Sequence, residues 1–155
     1  MFARALLAFL ALPGVFAFAL PLIWILRTGP PHAVQLWGLA PLFVGIVGLL
    51  WCVRDFYVAG SGTLAPWSPP KRLVVVGLYR YSRNPMYLSV ISILLGWAAC
   101  FGSLALLIYA LVVGAAFHLR VVLGEEPWLA RVHAEQWHEY RARVPRWFGL
   151  SSGNG

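Results

Sequence analysis

The chain sets four apolar runs between short breaks rich in proline, glycine or charge. The runs cover about residues 5–26, 33–53, 86–101 and 104–123. A helix rising ~1.5 Å per residue needs about 20 apolar residues to cross a ~30 Å hydrocarbon core. The first, second and fourth runs meet that length, and the third is short. Pro13 and Pro21 predict kinks in the first run, which a membrane helix tolerates where neighbours take up the freed carbonyls. Gly102-Ser103 leaves almost no loop between the third and fourth runs and predicts an antiparallel hairpin. Ser89, Ser92, Gly96 and Ala99 recur every three or four positions, a stripe of small residues that lets a neighbouring helix come close. The connection at 54–84 holds Gly60-Ser61-Gly62-Thr63 and a proline-rich stretch at 66–72, too broken to span. From 125 to 144 the pattern changes. Arg131, Glu135, Glu139 and Arg143 fall at i, i+4 steps on one charged face, and Leu129, Val132, Gln136 and Tyr140 line another, with Trp137 and Val144 nearby. That predicts an amphipathic helix against the membrane or the bundle, ended by Pro145. The expected fold is an all-α integral membrane bundle of about four transmembrane helices, one domain over 1–155, capped by the long connection and this C-terminal helix.

Composition agrees: 61% of the 155 residues are hydrophobic and 11% are charged. The formal charge of +7 changes the picture through its distribution. With four spans, eleven of the twelve Lys and Arg residues fall on one side and only Arg27 on the other. The positive-inside rule then places both termini in the cytoplasm, and makes anionic headgroups rather than nucleic acid the partner of the basic charge. Cys52 and Cys100 form no Cys-x-x-Cys pair, so neither a disulfide framework nor a zinc site is expected. His138-Glu139 lacks the second His of a metalloprotease helix, and no metal is predicted.

The residues that can carry chemistry gather on the cytoplasmic side. Between Leu73 and Tyr87 lie Arg80 and Arg83 with Tyr79, Tyr81 and Tyr87. Pro85 suits the first turn of a helix and pushes Asn84 out of the helical region. A helix start with free N–H groups and an arginine makes a site for a carboxylate or phosphate. The plainer alternative is an interfacial belt of Tyr and Arg at headgroup depth. Glu125 and Glu126, two of only five acidic residues, end the fourth run. Adjacent carboxylates at the hydrocarbon boundary need cations, which Arg80 and Arg83 can supply across the hairpin. The outcome is either an ion-pair cluster or a zwitterion clamp, with Glu for an ammonium and Arg for a carboxylate. His118 precedes Glu125 by two helical turns and shares its face if the helix runs through Gly124, as a site residue or as a packing residue.

The string from Gly77 to Tyr87, the Glu125-Glu126 pair, residues 135–140 and Val144-Pro145-Arg146 together resemble the isoprenylcysteine carboxyl methyltransferase family, which is related to the phospholipid methyltransferases. The resemblance covers roughly residues 60–149. It implies an integral membrane enzyme that uses S-adenosyl-L-methionine, with Arg83, Pro85, Tyr87, Glu125, Glu126 and Tyr140 building the cofactor site. Tyr79, Arg80 and Asn84, in the same stretch, complete the candidate cofactor set. His118 and Glu125 are the candidate catalytic residues, because an amine acceptor must lose a proton before methylation and a carboxylate need not. The implied acceptor is a lipid-like or lipidated small molecule drawn from the bilayer, in a cell membrane of bacterial type. Asn84 stands where the motif usually has His, His133-Ala134 where Phe-Gly is usual, Trp137 where Tyr is usual and Ser89 where Gly is usual. Two other classes share such a scaffold: a sterol-reductase-like enzyme with a nicotinamide cofactor, for which no dinucleotide fingerprint is present, and a non-catalytic membrane interaction protein. The charge asymmetry makes a direct prediction. Cysteines introduced at Pro30 and Pro70 label from opposite sides of the membrane, and labelling from one side would overturn the four-span topology.

Overall fold

The computed structural model describes residues 10–29, 33–59 and 73–148. Arg4, the Gly60-Ser61-Gly62-Thr63 turn, the proline-rich stretch at 66–72 and the tail from residue 149 lie outside the described residues. Every regular element among the described residues is helical. A π-helical stretch, Leu10–Ala19, runs into α1, Leu20–Thr28. Pro21 has no N–H to give the carbonyls one turn back. Their donors come from other helices: the Trp97 indole N–H reaches the Ala17 carbonyl at 3.0 Å, and the Tyr109 hydroxyl reaches the Phe16 carbonyl at 3.0 Å. The neighbours thus satisfy the freed backbone, as an apolar surround requires.

A 3₁₀ turn, Leu36–Gly38, leads into α2, Leu39–Ala59. This helix begins and ends later than the expected 33–53, because Pro41 belongs in a first turn and Arg54 and Asp55 continue the helix beyond the apolar run. A second 3₁₀ turn, Gly77–Arg80, precedes α3, Pro85–Phe101. Gly102 closes α3 in the left-handed region, at φ 58°, and the Ser103 hydroxyl caps α4, Leu104–Arg120, by accepting from the Leu106 N–H. The hairpin expected from Gly102-Ser103 is therefore present.

The α2/α3 pair is the tightest contact. A Cβ on Gly45 would sit 2.6 Å from the Ser89 carbonyl oxygen, and one on Gly96 would sit 2.6 Å from the Leu42 nitrogen. The Ser92 hydroxyl donates to the Pro41 carbonyl at 2.7 Å. The small-residue stripe of α3 is therefore filled by α2 and leaves no groove. Around it, Ala17, Leu49, Val90, Ile93, Leu94, Ala110 and Val113 form one core drawn from all four apolar helices. The outer faces are apolar too, with Phe43, Val44, Leu50, Leu111 and Val112 exposed. Leu36–Phe56 and Leu104–Arg143 are long and apolar enough to cross a membrane, and only 22% of each apolar window is buried inside the protein. Helices apolar all round and open on the outside are suited to lipid rather than to a soluble core. Pro13–Thr28 and Pro85–Phe101 are shorter apolar helices.

The chain does not stop at Gly124. A π-helical turn, Val121–Glu125, joins α4 to α5, Glu126–Arg143. Its wider i→i+5 turn changes the phase of the residues that follow. A second break lies at Ala134, with φ 24° and ψ −98°. This is the position where the resembled family usually has glycine. The kink re-aims the rest of α5. Trp137, Tyr140 and Val144 form its buried face, with Leu129 and Ala130, whereas Val132 and Gln136 are exposed, contrary to the expectation from unbroken helical spacing. Arg131, Glu135, Glu139 and Arg143 are solvent-facing as expected.

Two backbone positions make opposite predictions. Gly77 has φ 57°, and a Cβ there would lie 1.9 Å from the buried Asp55 carboxylate. Gly77→Ala should cost at least about 1–3 kcal/mol of stability, because strain and overlap act together. Ala134→Gly should add stability, by up to about 1–2 kcal/mol, since a side chain at positive φ costs that much. Thermal unfolding in detergent reads both, and a lower midpoint for Ala134→Gly would refute the strained kink.

Candidate active site

The site is assembled where the start of α3, the π-turn, α5 and the segment following α5 meet. Pro85 opens α3, and Asn84, at φ −129° and ψ 49°, is outside the helical region as Pro85 demands. The segment after α5 then crosses this start. The Arg83 N–H donates to the Pro145 carbonyl at 2.9 Å. The Asn84 side-chain amide donates to the Arg146 carbonyl at 3.0 Å, and the Ser82 hydroxyl reaches the same oxygen at 3.3 Å. Asn84, in place of the usual His, thus holds backbone rather than offering a ring nitrogen.

Below this strap lies a charge cluster, buried at Arg83 and Glu126 and open to solvent at Arg146, whose side chain is 34% exposed. Glu126 receives two hydrogen bonds from the Arg146 guanidinium, at 2.7 and 2.9 Å. Arg83 Nη1 lies 3.2 Å from the same carboxylate, without hydrogen-bond alignment. The side chains of Arg83 and Glu126 are 8% and 13% exposed, so this is an interior ion pair. Arg83 also stacks over the buried Trp137 ring, with Cζ 5.2 Å from the centroid. The usual Tyr is replaced here by a broader platform for the guanidinium. Burial pulls the Arg83 pKa down, and the Glu126 charge pulls it back only in part. Burial pushes the Glu126 carboxyl up, but the Arg146 hydrogen bonds and the charges of Arg83 and Arg146 outweigh it and hold the group below the usual carboxylate range. Arg146 is raised, first by its hydrogen bond to Glu126. Three described side chains have buried polar atoms without a hydrogen-bond partner: Asp55, Arg83 and His133. Of the three, Asp55 pairs with the exposed Arg54 at 3.7 Å, and Arg83, with Nε and Nη1 both unsatisfied, belongs to the cluster around Glu126.

Glu125 turns the other way. It accepts from the Tyr87 hydroxyl and pairs with Arg120 Nε at 2.8 Å, and Arg120 also reaches the Tyr87 oxygen at 3.2 Å. Phe117 stacks on the Tyr87 ring at 4.3 Å between centroids. The two adjacent glutamates are thereby separated into two ion pairs, which removes the repulsion between them. His118 does not join Glu125. Its Nδ1 accepts from the Trp147 indole N–H at 3.2 Å, at the surface of α4. The π-turn between the two residues undoes the shared face that an unbroken α-helix would give.

Tyr79 is buried, and its carbonyl accepts from the Tyr140 hydroxyl at 2.7 Å, tying the 3₁₀ turn to α5. Burial pushes the pKa of both phenols up. Arg80 is exposed and not part of the Arg83 cluster. It borders an open cavity of about 500 Å³ with Gln136, Glu139 and Arg143, over an apolar wall of Leu73 and Val75. The expected cation pair is therefore split, because the 3₁₀ turn ends at Arg80 and the chain reverses before Arg83. The cations that actually meet the glutamates are Arg83, Arg120 and Arg146. Neither Arg120 nor Arg146 is among the sequence-predicted site residues, although Arg146 lies in the Val144-Pro145-Arg146 string that carries the resemblance.

No curated protein and no solved structure matches the chain. The sequence profile of the phospholipid methyltransferase family matches residues 34–136, which carry α2, the Arg-Asn-Pro segment, α3, α4, both glutamates and the kink of α5. That span is most of the helical frame and most of the site, and the chain belongs to the phospholipid methyltransferase family.

Proposed function

We propose that this membrane protein transfers a methyl group from S-adenosylmethionine to the polar head of a lipid-like acceptor at the cytoplasmic face. The observation that carries the reading is the Arg83 guanidinium, buried beside Glu126 with Nε and Nη1 unsatisfied. A buried donor without an acceptor costs ~1–3 kcal/mol, and more when charged, so an anionic ligand group is favoured there. The amino-acid end of the cofactor has such a group. Arg83 receives its carboxylate, the strap and Trp137 hold Arg83 in place, and Glu125, fixed by Tyr87 and Arg120, supplies negative charge for its ammonium. Bound S-adenosylmethionine would supply a sulfonium methyl open to in-line displacement. The chain's own contribution is then positioning and exclusion of water. For an amine acceptor, His118 Nδ1 is the candidate proton acceptor of this chain, once Trp147 releases it.

The membrane arrangement belongs to the same reading. Four helices cross, both termini are cytoplasmic and the site faces the cytosol, where the cofactor is made. The acceptor comes from the bilayer, because its apolar tail is stable there and the outer faces of the helices are apolar. The α2/α3 seam offers no passage, since Gly45 and Gly96 are in backbone contact across it.

Calorimetric titration with S-adenosylhomocysteine tests the cofactor. The parent should bind, and Arg83→Ala should bind about ten- to a hundred-fold more weakly, the loss expected for one charge-assisted hydrogen bond. Equal binding by a folded Arg83→Ala protein would remove Arg83 from the site.

A further inference from the structure

With the ligand's carboxylate on Arg83 and its ammonium near Glu125, the part played by Glu126 is decided by the charges around it. Two guanidiniums, Arg83 and Arg146, face one carboxylate, Glu126. Glu126 spends both oxygens on Arg146, and one of them also faces Arg83. Its capacity for a further cation is therefore small, and the cluster keeps one uncompensated positive charge. Arg141 adds positive potential from further off, acting on both Arg83 and Glu126. No other carboxylate is paired with these groups among the described residues.

We infer that Arg146 is the residue that sets the charge selectivity of the site: by occupying Glu126 it makes the Arg83 cluster a receptor for the ligand's carboxylate and closes it to the ligand's ammonium. The proposal rests on the cofactor reading and refines it. Of two adjacent glutamates, Glu126 becomes a positioning residue for Arg83 and Arg146, and only Glu125 remains for a cation. Arg146 is well placed for this role. Its carbonyl is gripped by Asn84 and Ser82, and the neighbouring Pro145 carbonyl by the Arg83 N–H, so its side chain leaves the strap from a fixed point. Trp147, on His118, fixes the next residue to α4. Arg146 lies in the C-terminal strap, beyond the residues 34–136 that match the family profile. The bidentate geometry matters because a guanidinium fork satisfies both oxygens of a carboxylate, which a point-like ammonium cannot.

The experiment compares two ligands on the purified full chain. S-Adenosylhomocysteine carries carboxylate and ammonium, and S-adenosyl-3-thiopropylamine is the same molecule without the carboxylate. The parent should prefer the first by about ten- to a hundred-fold, the range of one charge-assisted hydrogen bond. Arg146→Gln frees Glu126, which then repels the carboxylate and attracts the amine, so the preference should shrink by about tenfold or more. Arg146→Lys keeps the charge and should keep a preference closer to the parent's. A merely structural role would weaken both ligands together and leave their ratio alone. An unchanged ratio in folded Arg146→Gln, with S-adenosylhomocysteine still bound, overturns this inference but not the cofactor reading. Binding of neither ligand by the parent overturns the cofactor reading itself. If Arg146→Gln does not fold, Glu126→Gln decides: a ratio raised above the parent's supports the assignment, and equal weakening of both ligands overturns it by making Glu126 the ammonium partner.

Discussion

A carboxylate cannot be taken out of water cheaply, and the site is built around that constraint. Glu126 is nearly buried at the end of a long apolar helix, so it must gather cations, and it gathers them from distant parts of the chain. Arg83 comes from the segment before α3 and Arg146 from beyond α5. Satisfying one charge therefore pulls the C-terminal strap over the start of α3, and the backbone bonds from Arg83, Ser82 and Asn84 follow that approach. Glu125 solves the same problem independently with Arg120 and Tyr87. The result is a cap assembled from charge pairs on top of a bundle assembled from apolar contacts.

The bundle decides where that cap can stand. Glycines at α2 and α3 bring the two backbones together, and this fixes the point at which the Arg-Asn-Pro segment emerges. Gly77, pressed onto the Asp55 carboxylate, seats the preceding turn on the end of α2. Tyr140 then bonds the Tyr79 carbonyl and brings α5 across. Each contact is short range, yet together they carry a precise placement from the apolar core to the polar surface. The α5 kink completes the path. Trp137, Tyr140 and Val144 share a face by their own i, i+3, i+7 spacing, and the kink turns that face relative to the first half of α5, where Trp137 serves as the aromatic platform of Arg83.

Composition and hydropathy made the helical membrane class legible from the sequence, because spans must be long, apolar and internally hydrogen-bonded whatever their neighbours do. The hairpin at Gly102-Ser103, the displaced backbone of Asn84 before Pro85, the small-residue contact face of α3 and the need of Pro21 for outside donors were legible for the same reason: each follows from local covalent geometry or local sterics. The resemblance singled out Arg83 and the glutamate pair as candidates, and the family match bears out the resemblance itself.

The pairing of the charges was decided only by the tertiary structure. Sequence spacing treated Arg80 and Arg83 as equivalent and set both against both glutamates, whereas a 3₁₀ turn sends Arg80 to an open cavity and leaves Arg83 inside. It put His118 and Glu125 on one face, whereas the π-turn separates them. It continued α5 as a regular amphipathic helix, whereas Ala134 breaks the phase and exposes Val132 and Gln136. In each case the deciding event is a small departure from 3.6 residues per turn. Periodicity assumes that departure away, while burial of a charge or an aromatic ring elsewhere in the fold makes it worthwhile. Which arginine meets which glutamate depends on three chain segments arriving at one point, and no local rule contains that information.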